Sequence, residues 1–334
     1  MKNITSQNII TKIATLLHDA RNTIVSKVNQ TMVITYFEIG RIIVEEEQKG
    51  KERANYGKYL IKEISRKLTA DFGKGFSETN IKQMRQFYLT YVIRQTPSDQ
   101  FTLSWSHYLK LMRIGDEKER KFYEIESAKN NWSLKELQRQ FDSSLYTRLS
   151  LSKNKKQILE LSTKGQVLEK PKDAIKDPYV LEFLGLPEQS HYSENELEEK
   201  LIDKLEHFLL ELGTGFTFVA RQQRISFDEK HFKIDLVFYN RILKCFILVD
   251  LKIGELKHQD IGQMQMYVNY YDREMRLEGE NKTIGIILCQ DKNEAVVQYT
   301  LPENNEQIFA SKYLTILPSK ETLKKLLENN EKKK

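Results

Sequence analysis

The chain has 334 residues, 40% of them hydrophobic, which is enough apolar surface for packed cores and excludes a disordered chain. No apolar run reaches the roughly 18 residues of a membrane span, and the two cysteines lie in apolar stretches typical of a reduced cytoplasmic protein. Residues 1–150 carry 25 Lys and Arg against 17 Asp and Glu, whereas the remaining residues carry 28 against 30. The basic part indicates a polyanionic partner such as a nucleic acid.

The first 150 residues are predicted to be almost wholly helical. Apolar residues recur at three- and four-residue intervals over residues 9–48 and in a second segment that stops at Gly73. Ser77 is the predicted N-cap of the next helix. Near the end of this part, Ser133 and Glu136 have the spacing of a capping box.

The helix that follows Ser77 carries basic and amide side chains on its outward face, namely Lys82, Arg85 and Gln86. Such side chains on an exposed helix suit contacts with phosphates and base edges. The glycines of the preceding FGKGF turn permit a helix–turn–helix. The alternative is an ordinary solvated surface helix.

Residues 151–177 have little sustained periodicity and are predicted to link a helical domain, 1–150, to a second domain, 178–330. An amphipathic helix is predicted at 194–212. Three strands, a helix over 258–278 and further strands follow. The fold class is therefore predicted to be α+β, with an all-α N-terminal domain before a mixed C-terminal domain.

Two aspartates and a lysine interrupt the apolar strands of the second domain. Asp235 lies in HFKIDLVFYN, while Asp250 and Lys252 lie in RILKCFILVDLK. Side chains alternate across a strand, and a hairpin between these strands sets Asp235 near residues 248–250. We therefore expect the three charges to converge, although unlike charges are costly to bury unless they pair or bind an ion.

Two carboxylates on a rigid sheet suit a hard divalent cation such as Mg²⁺ or Mn²⁺, with the backbone carbonyl of Leu251 as a further ligand. A lysine beside that ion would orient a water or help to deprotonate it, and would stabilise charge developing on a phosphate. The residues thus indicate metal-assisted hydrolysis of a phosphodiester. The alternative is a buried Asp–Lys pair that only stabilises the sheet, although such a pair contributes little net stability.

The pattern Asp235…Asp250-Leu251-Lys252 resembles the D…(D/E)xK signature of the PD-(D/E)xK nuclease superfamily, and the predicted element order resembles its restriction-endonuclease-like αβββαβ core. Relatives more often have Glu where this chain has Asp250, and either residue can ligate a metal. Nearly the whole chain is similar to the YhcG-like family, through segments such as IDLVFYNRILKCFILVDLKIG, IGQMQMYVNYYD and FGKGFSETNIKQMRQFY. The resemblance implies a nuclease domain behind a helical domain of the winged-helix or helix–turn–helix type.

The resemblance also implies further site residues. The superfamily uses a glutamate of the first helix, for which Glu198 is the first candidate because it continues the inward apolar stripe, and Glu206 is the second. Gln263 and Tyr267 resemble the QxxxY motif of the RecB-like branch, whose members place such residues at the active site. The alternatives are a glutamate that favours the helix dipole and a surface pair on one helix face.

Arg221, Gln222 and Arg224 lie on the first predicted strand, from which they could reach phosphates or carboxylates. The features together predict a cytoplasmic, Mg²⁺- or Mn²⁺-dependent endonuclease that acts on DNA. Two alternatives stay open. One is a non-catalytic nucleic-acid-binding or scaffold protein on a nuclease fold, and the other is a structure-specific junction nuclease acting as a homodimer.

Overall fold

The protein was analysed as a computed structural model that describes residues 2–49, 54–92, 101–151, 155–186, 192–227, 230–317 and 319. Within these residues no helix combines the length and the apolar character that crossing a bilayer requires. The chain divides into two compact units, Met1–Gln138 and Arg139–Lys334. This division lies before residue 150, and the predicted domains 1–150, 151–177 and 178–330 stay predictions.

The first unit is helical throughout its described residues. Its helices are α1 (Lys2–Lys49), α2 (Ala54–Phe72), α3 (Glu78–Tyr91), α4 (Trp105–Leu111) and α5 (Glu117–Lys129), and α6 (Leu134–Asp142) runs across the division. The predicted caps are confirmed, because Ser77 Oγ accepts a hydrogen bond from Asn80 N and the Ser133 and Glu136 side chains each accept from the other's backbone N–H. The helical character predicted for this part is thus confirmed.

Close approach of α1 to α3 builds the core of the first unit. A Cβ atom at Gly40 would collide with the backbone of Met84 in α3, so only glycine permits this spacing. Phe37 of α1 then packs edge-on against Phe87 of α3, with ring centroids 5.8 Å apart. Both phenylalanines are buried. The second half of α1 therefore packs against α3 within the first unit.

The second unit is a mixed sheet with helices on both faces. Its elements are α7 (Leu145–Leu151), α8 (Lys155–Lys164), β1 (Tyr179–Val180), α9 (Glu194–Asp203), α10 (Leu205–Leu212), β2 (Phe216–Phe227), β3 (Lys230–Asn240), β4 (Cys245–Glu255), α11 (His258–Tyr270), β5 (Ile284–Asp291), α12 (Glu294–Thr300) and β6 (Ile308–Leu314). The strand order is β1-β6-β5-β4-β3-β2. Strands β2, β3 and β4 are antiparallel, whereas β4, β5, β6 and β1 are parallel. The predicted α+β class and restriction-endonuclease-like core are confirmed.

Strand β4 lies at the centre of this sheet and is buried on both faces. Ile247 and Val249 belong to the apolar cluster that α9 and α10 cover, and Leu248 belongs to the cluster that α11 covers. This alternation follows from the two-residue period of a strand. Because β4 also carries Asp250 and Lys252, these two site side chains are held by a central strand with a largely buried core.

Two predicted helices differ from the structure. The segment 194–212 is two helices, since Lys204 leaves the helical conformation with φ −116° and ψ 31°. No proline or glycine causes this break, and both halves bury apolar side chains in one core. Helix α11 ends at Tyr270 and continues as a π-helical turn, Tyr271–Met275, rather than as α-helix to residue 278.

A fully buried ion pair joins α7 to α10. Arg148 Nη1 lies 2.6 Å from Glu211 Oε1, and neither side chain is exposed. Arg148 also donates to the carbonyl oxygens of Ser143 and Pro178, and Glu211 accepts from Val180 N at 3.0 Å. Burial alone would raise the pKa of Glu211, but the nearby positive charges outweigh it, Arg148 foremost, and lower the pKa to about 2. The pair is therefore charged and well hydrogen-bonded.

Candidate active site

The hairpin of β3 and β4 brings the predicted acids together. Leu236 pairs with Val249, so the next position along the ladder sets Asp235 opposite Asp250. Asp235 Oδ2 accepts a hydrogen bond from the backbone N–H of Leu251 at 2.8 Å. This bond fixes the Asp235 carboxylate against the strand that carries Asp250.

Asp250 is buried, with 2% of its surface exposed. Burial and the neighbouring charge of Asp235 raise the pKa of Asp250 to about 7, although Lys252 opposes the shift. Two carboxyl groups this close disfavour simultaneous ionisation unless a cation joins them. The pair is therefore an electrostatically unfavourable arrangement in the absence of a further positive charge.

Lys252 supplies one positive charge to this pair. Its Nζ atom lies 2.8 Å from Asp250 Oδ2 and 3.9 Å from Glu194 Oε2 at the start of α9. Burial lowers the pKa of Lys252, but the charge of Asp250 and a hydrogen bond to it outweigh burial, so that the pKa rises to about 12. Lys252 is thus a cation at neutral pH, with 16% of its side chain exposed toward solvent.

Glu198 reaches the same place from α9. Its side chain is buried and accepts a hydrogen bond from Gln222 Nε2, which also donates to Asp235 Oδ1 at 3.3 Å. Glu198 Oε1 is buried and accepts no hydrogen bond from any described residue, while Arg221 Nε lies 3.8 Å away. Burial, with the charge of Asp235, raises the pKa of Glu198. Glu206, by contrast, has a 90% exposed side chain on α10.

Gln222 owes its position to an irregular stretch of β2. The pairing of β2 with β3 shifts register between Phe218 and Ala220, and Gln222 has a φ of +48°. A left-handed conformation is costly for a residue with a side chain, and such strained conformations recur at functional sites. The sequence gives no glycine or proline to mark this irregularity. The sequence predicts only that Gln222 could reach phosphates or carboxylates. In the structure its amide lies between the carboxylates of Glu198 and Asp235.

The donor set fits a divalent cation in its chemistry. Asp235, Asp250 and Glu198 offer carboxylate oxygens, and one Glu198 oxygen is buried without a hydrogen bond. Over the part of the chain that the structure describes, no three acidic, histidine or cysteine side chains form a ready cluster around one point. Gln222 donates hydrogen bonds to Glu198 and Asp235, and Lys252 places one positive charge beside Asp250. A bound cation would supply the further positive charge that these carboxylates favour.

Comparisons with known proteins agree with this geometry. Residues 172–328 match the model of the YhcG PDDEXK nuclease domain, and residues 12–148 match the DUF1016 N-terminal domain. A protein of Escherichia coli (strain K12) named "Putative nuclease YhcG" is 39% identical over an alignment of 347 positions, which covers 95% of this chain and 92% of that protein. This chain belongs to the YhcG family. Nucleases of the PDDEXK type generally use divalent metals.

Solved structures resemble the YhcG-family chain only in part. A repair endonuclease from Pyrococcus abyssi is 16% identical with a TM-score of 0.26, and a complex titled "EndoMS-dsDNA2" is 14% identical with a TM-score of 0.28. Each alignment covers 40% of this chain and 50% of the other chain. The aligned part thus spans about half of each solved chain.

The predicted QxxxY residues of the YhcG-family chain lie beside the acids. Gln263 Nε2 donates to the hydroxyl of Tyr267, and that hydroxyl donates to the carbonyl oxygen of Lys233 at 2.8 Å. Tyr267 is buried, and burial raises its pKa to about 12. Lys233 precedes Asp235 by two residues. Tyr267 therefore holds β3 through its backbone, and a direct role of either residue in the chemistry stays a prediction.

The predicted nucleic-acid contacts fall on both units. Arg221 is half exposed and Arg224 is exposed, both on β2. In the first unit Lys82 is exposed beside Glu78, and Gln86 is exposed with its amide bonded to Thr90. Arg85, the last of the five predicted nucleic-acid contacts, is only partly exposed, because its Nε atom lies 2.6 Å from Glu47 Oε2 on α1. Arg85 is thus the least available of the predicted phosphate contacts.

Asp250→Asn is expected to raise the stability of the metal-free protein. The folded-state pKa of Asp250, about 7, exceeds its ordinary value of 3.8, so the folded state holds a proton that the unfolded state loses. Stability therefore falls as pH rises from about 4 to 7 and stays low above that. The variant removes this loss and should be more stable at pH 8, by at most about 4 kcal/mol.

Denaturation in EDTA followed by circular dichroism at pH 8 and pH 5 measures this effect. The gain should shrink at pH 5, where Asp250 is protonated in the wild type. Asp203→Asn changes an exposed aspartate of α9 and serves as the control, with no change expected. Equal stability of the Asp250→Asn variant and the wild type at pH 8 would contradict the electrostatic account of the pair.

Proposed function

We propose that this chain is a metal-dependent endonuclease that hydrolyses phosphodiester bonds of DNA. The observation that carries the proposal is a buried acid that contacts a lysine beside a second acid in a nuclease-type sheet, with Asp250 Oδ2 lying 2.8 Å from Lys252 Nζ. A purely structural ion pair does not account for the second acid, Asp235, because it makes the ionised state of Asp250 less favourable.

Asp235, Asp250, Glu198 and the backbone carbonyl of Leu251 would hold the cation, which we propose to be Mg²⁺ or Mn²⁺. All are oxygen donors, the ligands these hard ions prefer. When bound, the ion would supply Lewis-acid activation of a water and of the phosphate. Gln222 is bonded to both Asp235 and Glu198, so it would keep their carboxylates oriented toward one ion.

Lys252 would act as a cation and hydrogen-bond donor rather than as a base. Its raised pKa of about 12 keeps the ammonium group protonated at neutral pH. A protonated amine can orient a water through the oxygen lone pairs and stabilise negative charge developing on the phosphate oxygens. Of the two roles predicted for this lysine, the raised pKa favours orientation and charge stabilisation over proton abstraction.

Basic side chains around the site would bind the DNA backbone. Arg221 lies on β2 with its Nε atom 3.8 Å from Glu198 Oε1, and Arg224 is exposed on the same strand; each phosphate contact they make would weaken with salt. The helical domain, proposed to be of the winged-helix or helix–turn–helix type, would add contacts from Lys82, Arg85 and Gln86. The buried free cysteines Cys245 and Cys289 suit the proposed cytoplasmic location.

Cleavage by purified full-length protein tests the proposal. Plasmid and linear duplex DNA, incubated with Mg²⁺ or Mn²⁺, should be cut internally, and EDTA should stop the reaction. RNA of the same sequence serves as the comparison substrate. If no DNA is cut under any metal condition while the protein is folded and binds DNA, the scaffold alternative replaces the enzyme.

Substrate structure separates the nuclease from its narrower version. Four-way junctions, flaps, single strands and linear duplexes of shared sequence should be compared at equal concentration. Cutting of branched molecules alone would assign a structure-specific enzyme, which we would expect to act as a homodimer on a two-fold junction. Similar cleavage rates on linear and branched duplexes would instead support an endonuclease without structure specificity.

Glu198→Gln is expected to weaken Mn²⁺ binding by about tenfold, because it removes one charged oxygen donor from the site. Isothermal titration at pH 8 measures the affinity without depending on cleavage. Glu206→Gln is the matched control, since Glu206 was the rival candidate and its side chain is exposed on α10. If the Glu206 variant loses affinity and the Glu198 variant does not, the assignment of the helix ligand is wrong.

A further inference from the structure

The first half of α1 carries a row of large apolar side chains on its surface. Their exposed fractions range from 37% at Met32 to 69% at Leu16. We call this row the α1 stripe, and its members are Ile10, Ile13, Leu16, Leu17, Ile24, Val25, Val28 and Met32. Among the described side chains from residue 10 to residue 32, none is buried. This half of the helix thus stands clear of the rest of the described first unit.

The α1 stripe adjoins and partly overlaps the face that packs α1 onto its own unit. At 100° per residue, most of the stripe falls within an arc of about 120°. Val33, Phe37 and Val44 of the second half are buried on roughly the opposite side of the same helix, whereas the buried Ile43 and the partly buried Ile39 fall within the arc of the stripe. The apolar surface of the stripe therefore continues into a face that is covered in the second half of α1, whereas none of its described side chains from residue 10 to residue 32 is buried.

The size of the uncovered face requires a partner of comparable length. Residues 10–32 span about 33 Å of helix. The eight side chains together expose on the order of 800 Å², which is larger than the patches usual on monomers and is similar to the area that each partner buries in a standard interface. An apolar helix face of this length is ordinarily covered by another helix.

The apolar residues of the α1 stripe have nearly the same spacing whether the helix is read from its N-terminus or from its C-terminus. About a two-fold axis between residues 20 and 21, Leu17 lies opposite Ile24. The same axis sets Leu16 opposite Val25 and Ile13 opposite Val28. Ile10 then falls within one residue of Met32. Ala20 and Arg21, both exposed, flank this axis, and Arg21 lies within the arc of the stripe, from which its long side chain can extend to solvent.

We propose that two copies of this chain associate through the α1 stripe as an antiparallel helix pair. A two-fold axis produces such an isologous contact, in which each residue meets its symmetry counterpart. Antiparallel pairing also sends the packed second halves of the two helices in opposite directions, whereas parallel pairing would bring both helical units to the same end. Association through the α1 stripe does not depend on the proposed nuclease activity, because it is detected by the molecular mass of the protein and not by cleavage.

Light scattering coupled to size-exclusion chromatography tests the association. The full-length wild type should have the mass of a dimer at concentrations of about 10 µM, a level at which standard-sized interfaces are stable. Leu17→Glu combined with Ile24→Glu should give a monomer with unchanged circular dichroism, since both positions are exposed in the single chain. The control, Lys12→Glu with Ser26→Glu, introduces the same residues on the opposite side of α1 and should stay dimeric.

Cysteine cross-linking tests the direction of the pair. A chain with both Leu17→Cys and Ile24→Cys should form a disulfide-linked dimer on oxidation, whereas each single variant should not, because the like positions lie about 10 Å apart. Efficient linking of the Leu17→Cys variant alone would overturn the antiparallel arrangement. A monomeric wild type, or a dimer that survives both glutamates, would overturn the proposal as a whole.

Discussion

Lys252→Ala is expected to lower the rate of metal-dependent DNA cleavage by about three orders of magnitude. The substitution removes the only described ammonium group within 3 Å of the paired acids, so developing phosphate charge would lose its nearest cationic side chain. The fold should survive, since Asp250 can take up a proton when its counter-charge is lost. Single-turnover cleavage with Mn²⁺ in excess measures the chemical step.

Lys282→Ala is the matched control for this variant, because Lys282 is exposed in the same unit. Its cleavage rate should equal that of the wild type. Circular dichroism and Mn²⁺ titration should show that the Lys252 variant is folded and still binds metal. Wild-type cleavage by the Lys252→Ala protein would remove the lysine from the mechanism, and with it the main chemical argument for the nuclease.

Arg148→Ala is expected to destabilise the second unit by about 3 kcal/mol, because it removes the closest partner of the buried Glu211 charge and leaves Arg139 Nη2 at 3.5 Å. In the wild type the lowered pKa of Glu211 contributes stability in full above its ordinary value of 4.5, and that contribution is lost as pH falls toward about 2. Urea denaturation at pH 7 followed by circular dichroism measures the loss.

Two further proteins make the result specific. Arg241→Ala removes an exposed arginine of the same unit and should change stability by less than about 0.5 kcal/mol. Arg148→Met combined with Glu211→Leu removes both charges and should recover part of the loss, because apolar pairs of similar volume often replace buried ion pairs. If Arg148→Ala is as stable as the wild type, the ion pair makes no net contribution to the stability of the second unit.

The sequence could predict the site's strands and its acids because both depend on local pattern. Asp235, Asp250 and Lys252 stand out as charges inside apolar strands, and the two-residue period of a strand sets their side chains on one patch. Glu198 was predictable for a similar reason, as a charge on an inward helix stripe. The caps at Ser77 and Ser133 were equally visible, since capping depends on side chains a few residues apart.

Other features depend on contacts between residues far apart in the chain. Gln222 lies between two carboxylates only because β2 shifts its register against β3, and no glycine or proline marks that shift. The pairing of Arg85 with Glu47 joins two helices and withdraws a side chain predicted to face DNA. The link between Arg148 and Glu211 likewise spans α7 and α10. Such contacts depend on tertiary packing, so they cannot be predicted from local periodicity in the sequence.

Strand β2 is the outermost strand on one side of the sheet, and this has a consequence for solubility. An exposed, regular outer strand presents backbone donors and acceptors to which a strand of another molecule can add, and such addition leads to aggregation. The register shift near Val219 and the left-handed Gln222 interrupt that row, and Arg221 adds charge beside it. The irregularity that brings Gln222 to the carboxylates therefore also protects the protein against self-association through its sheet.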